Sequence, residues 1–61
     1  MNYFENKIIW VTGASSGIGE EICKQLANQN AILILSARNL ETLTRIKSSL
    51  KNSDKHLVIP I

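Results

Sequence analysis

Cysteine occurs once in these 61 residues, at Cys23. A lone thiol excludes an internal disulfide framework and a cysteine-based zinc cluster, and it fits a reducing compartment. Cys23 itself reads as a small apolar residue on a helix. Histidine and proline also occur once each, at His56 and Pro60. His56 has no carboxylate or cysteine beside it, so it reads as a strand-edge residue and not as a ligand or base. Blocks of like charge are missing, and the net charge is only +2. Nothing therefore points to nucleic acid. No stretch approaches the roughly 20 apolar residues of a membrane span. The opening MNYFENK lacks the basic-then-apolar order of a signal peptide. We expect a cytoplasmic chain with no nucleic-acid, membrane or metal partner. It is one domain at most, and a folded chain of this size buries only about 60% of its unfolded surface.

Glycine is scarce as well, yet its three copies are crowded together in Thr12-Gly13-Ala14-Ser15-Ser16-Gly17-Ile18-Gly19. Glycines this dense are costly in regular structure, because each loses more backbone freedom than another residue would. The run before them, Lys7 to Thr12 (KIIWVT), is β-branched, aromatic and apolar without alternation, so it reads as a strand with Trp10 in the core. After Gly17 the period changes. Ile18, Ile22 and Leu26 recur every four residues, with Cys23 and Ala27 beside them and charged or amide residues opposite. This predicts an amphipathic helix to about Gln29, ended by Asn30 in the left-handed conformation.

Ala31 to Ala37 (AILILSA) reads as a second strand. Asn39 caps a second helix whose stripe is Leu40, Leu43, Ile46 and Leu50, with Glu41 in its first turn and Lys47 and Lys51 near its end. Asn52-Ser53-Asp54 is a turn, and His56 to Ile61 (HLVIPI) is a third strand, with Pro60 suited to a sheet edge. The order βαβαβ implies a parallel sheet with right-handed crossovers and strand order 3-2-1, half of a Rossmann-type doubly wound α/β fold. Such crossovers put both helices on one face. IIWV and ILIL, however, carry apolar side chains for two faces, the mark of a sheet covered twice. We expect residues 1–61 to be the N-terminal portion of a dinucleotide-binding domain, truncated after the third strand.

A glycine-rich turn between a strand and a helix lets the backbone approach a phosphate, and the first helical turn offers unpaired N–H groups and a positive dipole end. Gly13 makes the sharp turn, Gly17 leaves room for a pyrophosphate, and Gly19 lets the helix pack closely. The Gly-Lys-Ser/Thr of a Walker-A loop is missing, which excludes that class of nucleoside triphosphatase. The spacing T-G-x-x-x-G-I-G, placed between strand and helix, resembles the short-chain dehydrogenase/reductase family. The G-x-x-G-x-x-G spacing of NAD-type epimerases and dehydratases does not match. The resemblance runs from Lys7 to Ile61 and covers only the family's N-terminal portion.

At the end of the second strand stands Ser36-Ala37-Arg38. NAD-dependent dinucleotide-binding folds carry an acidic residue about here for the ribose hydroxyls. Ala37 puts no negative charge there, and Arg38 can fork onto a 2′-phosphate. In the family such an arginine implies NADP. The expected cofactor-binding residues are thus Gly13, Ser15, Ser16, Gly17, Ile18, Gly19 and Arg38, with Ser15 and Ser16 ranked below Arg38. The resemblance also implies a catalytic Tyr-x-x-x-Lys well after the third strand. Tyr3-Phe4-Glu5-Asn6-Lys7 matches that pattern but precedes the first strand, so it reads as an ordinary tail whose Tyr3 and Phe4 pack on a helix. No catalytic residue is assigned, and the 61-residue chain alone is expected to be inactive. By resemblance the parent enzyme is a homo-oligomer that moves a hydride between NADP(H) and a carbonyl or alcohol substrate. The alternative is a non-catalytic NADP-binding or interaction protein on the same half-fold.

Overall fold

A computed structural model describes residues 3–61. Strand β1 spans Ile8–Thr12, helix α1 Gly17–Asn28, strand β2 Ile32–Ala37 and helix α2 Leu40–Ser49; a 3-10 turn at Ser53–Lys55 leads into strand β3, Leu57–Pro60. The three strands form one parallel sheet in the order β1-β2-β3, as the βαβαβ pattern requires. Ile8 pairs with Ile32 and Thr12 with Ser36 across β1 and β2, while Ile34 pairs with Leu57 and Ala37 with Pro60 across β2 and β3. β3 is an edge strand, where the missing N–H of Pro60 costs the sheet nothing.

Local signals set the element ends. Asn39 caps α2 by accepting the Thr42 N–H at 3.1 Å. α1 stops because Asn30 takes a positive φ of 66° and returns its N–H to the Ala27 carbonyl at 2.9 Å. Asn52 turns the chain the same way, at φ 59°, and its side-chain amide donates to the Asn30 side chain at 3.3 Å.

Both helices lie on one face of the sheet. There Leu33 and Leu35 of β2 form a single cluster with Cys23 and Ala27 of α1 and with Leu43 and Ile46 of α2. Each of the larger aliphatics contributes about 1.5–3 kcal/mol by leaving water. The opposite face is bare, as two helices on one face require, and several expectations about burial are corrected. Trp10 is not core: strand alternation turns it, with Ile8, away from the helices, and it is 62% exposed. In α1 the buried line is Gly19, Cys23 and Ala27, while Ile18 and Ile22 are exposed. Small residues on the inner line let the helix sit close to the strands, so the larger isoleucines fall outside it. Leu40, at the first turn of α2, is also exposed. Tyr3 is exposed too, and only Phe4 of that pair packs against the core.

His56 is also corrected. It is buried just before β3, where Nδ1 accepts the Leu33 N–H at 3.0 Å and Nε2 lies 2.9 Å from the Lys51 carbonyl. A carbonyl can only accept, so the ring is the Nε2–H tautomer. The imidazole extends the β2–β3 ladder by one rung and ties it to the end of α2. No helix among the described residues is long and apolar enough to cross a membrane.

Candidate functional site

β1 ends at Thr12, and the chain must then reverse into α1 within four residues. Gly13 makes that reversal with φ 68°, a conformation open to glycine at no steric cost. Its carbonyl accepts from both the Ser16 N–H, at 3.1 Å, and the Ser16 hydroxyl, at 3.0 Å. Ser16 in turn caps α1: its Oγ accepts the Gly19 N–H at 3.0 Å. The hydroxyl is thus engaged both as donor and as acceptor inside the turn. Ala14 is buried and donates its N–H to the Ser36 carbonyl at 3.2 Å, which pins the turn to the end of β2.

The other two glycines differ in kind. A Cβ on Gly19 would collide with the Gly13 carbonyl oxygen and stand 3.0 Å from Ser16 Oγ and 3.1 Å from Ala14 Cα. A Cβ on Gly17 would meet nothing within 4 Å. Gly19 therefore closes the turn against the helix, and Gly17 keeps an open space in front of it. With Gly19 capped and the Glu20 N–H bonded to the Ser16 carbonyl, the amides of Gly17 and Ile18 have no carbonyl one turn back to bond. They face outward at the positive end of the helix dipole.

An open cleft of about 390 Å³ lies beside this turn, lined by Gly13, Ser15, Ser36, Ala37, Arg38 and Ile61. The turn after β1 and the residues after β2 thus meet, as they must where adjacent parallel strands end side by side. Ser15 and Arg38 are both exposed there. Gly17, Ile18, Gly19 and Ser16 adjoin the cleft through the turn and helix start rather than lining it. Ser36 and Ile61 were missed from sequence. Ser36 is buried in the cleft floor, its hydroxyl donating to the Ile59 carbonyl at 3.0 Å, and Ile61 is held by its N–H on the Ala37 carbonyl at 2.9 Å. Ligands in open α/β sheets bind outside the carboxyl ends of the strands, and that rule marks both positions.

Other chemistry-bearing groups stand apart. Lys7 Nζ lies 5.4 Å from the centroid of the Tyr3 ring, which also meets the Phe4 ring edge-to-face at 5.1 Å. They precede β1, whose five residues span about 16 Å, so they lie at the far end of the sheet from the cleft. Burial pushes the Cys23 thiol up from its ordinary range, and the Glu20 carboxylate adds to that. Among the described residues, no group of three or more His, Cys, Asp or Glu is placed to hold a metal.

The sequence pattern of the short chain dehydrogenase family matches residues 7–61. The chain belongs to that family. It is 47% identical over 60 residues to the human protein "Dehydrogenase/reductase SDR family member 7", covering 88% of this chain and 17% of that one. Among solved structures, a short chain dehydrogenase from Salmonella enterica superposes with a TM-score of 0.88 at 34% identity, over 98% of this chain and 26% of that one. The L-sorbose reductase from Gluconobacter frateurii, solved with NADPH and L-sorbose, gives a TM-score of 0.87 at 31% identity, over 100% of this chain and 24% of that one. The chain therefore spans about a quarter or less of the length of these short-chain dehydrogenases.

Proposed function

We propose that this chain is the cofactor-binding portion of an NADP-dependent short-chain dehydrogenase/reductase. The observation that carries this reading is the cleft itself. It sets Gly13 and Ser15 of the glycine turn beside Ala37 and Arg38, and the amide-bearing start of α1 follows that turn directly. The residues present fit a dinucleotide. The open space at Gly17 suits a pyrophosphate, the Gly17 and Ile18 amides suit its oxygens, and Ser15 offers a free hydroxyl. Ser16 supports the site by holding the turn, not by direct contact.

Arg38 supplies the preference for a 2′-phosphate. Its guanidinium is exposed at the cleft wall, and Ala37 leaves no carboxylate to repel a phosphate. A charge-assisted hydrogen bond of this kind is worth about 1.5–3 kcal/mol, or roughly ten- to 150-fold in affinity. When bound, the nicotinamide supplies hydride exchange with a carbonyl or alcohol. The chain's own residues bind and orient the dinucleotide, and none of them is assigned a proton transfer. A catalytic Tyr-x-x-x-Lys belongs to sequence beyond Ile61 in this reading, and the 61-residue chain by itself is inactive. The resemblance and the reduced, buried Cys23 are consistent with the cytoplasm.

Calorimetric titration with NADPH and NADH tests the reading. In a complete protein with this N-terminus we expect NADPH to bind at least about tenfold more tightly than NADH. Equal affinities would remove Arg38 from its role, and no binding of either would remove the cleft from its own.

A further inference from the structure

Strand register gathers the apolar side chains of the bare sheet face. Ile8 lies opposite Ile32, Trp10 opposite Ile34, and Ile34 opposite Leu57. Side chains two apart on a strand share a face, so Ile59 joins them. Ile8 and Trp10 are 69% and 62% exposed, Leu57 and Ile59 are 59% and 43%, and Ile32 and Ile34 lie half-buried between them. With about 150–250 Å² for a whole aromatic side chain, the four exposed residues present on the order of 500 Å² of apolar surface. That equals the largest apolar patch of a typical soluble monomer, about 300–600 Å². The strands IIWVT, ILILSA and LVIP carry no charged residue. The buried Ser36 beside the patch already donates its hydroxyl to the Ile59 carbonyl at 3.0 Å.

We propose that a second copy of this chain covers this face. The two sheets stack about 10 Å apart with their side chains interdigitated and the helices outside, in four layers. Two features favour a second copy over another occupant. An isologous contact sets a surface against itself, so a charged face would repel its copy, and this face has no charge to repel. The two faces together also take roughly 1,000 Å² of apolar surface out of water, about the least that a specific interface needs. A contact of that size is at the weak end, and its dissociation constant is roughly micromolar. Pairing through the free edge of β1 would leave Trp10 and Leu57 in water, so the face is the surface covered first. This pairing is independent of the dinucleotide reading of the cleft.

Trp10 is the only tryptophan, so the interface carries its own reporter. The test is sedimentation equilibrium of the full chain, with Trp10 fluorescence and acrylamide quenching, from about 0.1 to 100 µM, a range that brackets a micromolar constant. We expect monomer to give way to dimer with no larger species. Trp10 emission should shift to the blue and its quenching should fall at the same midpoint. Leu57→Lys keeps the reporter and puts two unpaired charges into a dry interface, so it should weaken the dimer at least about tenfold with circular dichroism unchanged. Ile22→Lys replaces an exposed isoleucine on α1, away from this face, and should leave the midpoint where it is. If Leu57→Lys does not fold, Ile8→Lys at the sheet edge makes the same test. A monomer throughout the range overturns the proposal; shielded Trp10 in that monomer would mean that the chain covers its own face. Dimers whose Trp10 stays fully quenchable also overturn it, because they pair through the β1 edge or the helices. So do open-ended assemblies, and an Ile22→Lys variant that dissociates as readily as Leu57→Lys.

Discussion

Gly17 and Gly19 are two residues apart in one motif, and the structure assigns them opposite stability effects on substitution by alanine. At Gly19 the new Cβ would meet the Gly13 carbonyl oxygen, Ser16 Oγ at 3.0 Å and Ala14 Cα at 3.1 Å. Two of these are backbone atoms of a turn fixed at both ends, so the start of α1 must back away. Overpacking of this kind costs about 1–3 kcal/mol. Backing away also stretches the Ser16 cap, worth about 1 kcal/mol. The sum is a loss of about 2–4 kcal/mol. At Gly17 the Cβ meets nothing, and alanine is the better helix former by up to about 1 kcal/mol. Gly17→Ala should therefore be neutral or slightly stabilising, yet it should weaken dinucleotide binding because the methyl fills the space in front of the amides. Urea unfolding followed by circular dichroism at one fixed chain concentration gives the stabilities, and calorimetry gives the binding. A neutral Gly19→Ala, or a Gly17→Ala variant that loses stability while binding normally, would refute this division of labour.

Further tests address the rest of the molecule. Ala37→Asp with Arg38→Ala should invert the cofactor preference from NADPH to NADH in competitive titration; an unchanged order would show that the end of β2 does not read the 2′-phosphate. The bare sheet face, with Ile8 69% and Trp10 62% exposed, and the unpaired edge of β1 should make the chain self-associate at micromolar concentration. Trp10→Lys should raise the monomer fraction in sedimentation velocity, and a monodisperse unmodified monomer would contradict this. His56→Ala should cost roughly 1–3 kcal/mol in urea unfolding, because it strands the buried Leu33 N–H; a loss within 0.5 kcal/mol, a rough bound for an ordinary surface change, would show that water replaces the ring. The Cys23 thiol has a raised pKa in the folded chain. Its contribution to stability is thus fully present below the unfolded thiol's pKa and fades as pH rises through the folded value. Alkylation at pH 8 should be slow until urea is added; rapid alkylation of the folded chain would place the thiol at the surface.

The element order was legible because each element carries its own local signal. Consecutive β-branched residues mark the strands, Asn39 caps α2, and Asn30 ends α1. The glycine turn was legible for the same reason, since its spacing encodes a backbone path. What failed were statements about tertiary burial. Trp10 is apolar in mid-strand, but which face a helix covers depends on the crossovers, and here its face has no cover. Ile18 and Ile22 form a visible stripe, yet the helix turns its line of small residues inward to approach the strands. His56 looked like an edge residue because its two partners, Leu33 and Lys51, come from different elements and only meet in the fold. Ser36 and Ile61 joined the cleft through the same non-local geometry.

The central claim is that the glycine turn and Arg38 form one dinucleotide site. Amide chemical-shift mapping of the Trp10→Lys chain, whose monomer fraction is raised, during titration with NADP⁺ tests it most directly. The account predicts saturable shifts concentrated at Gly13, Ser15, Gly17, Ile18 and Arg38, with those at Arg38 much reduced when NAD⁺ replaces NADP⁺. Shifts centred instead on the opposite end of the sheet, around Asn30 and Asn52, or an unperturbed glycine turn at saturating ligand, would contradict it.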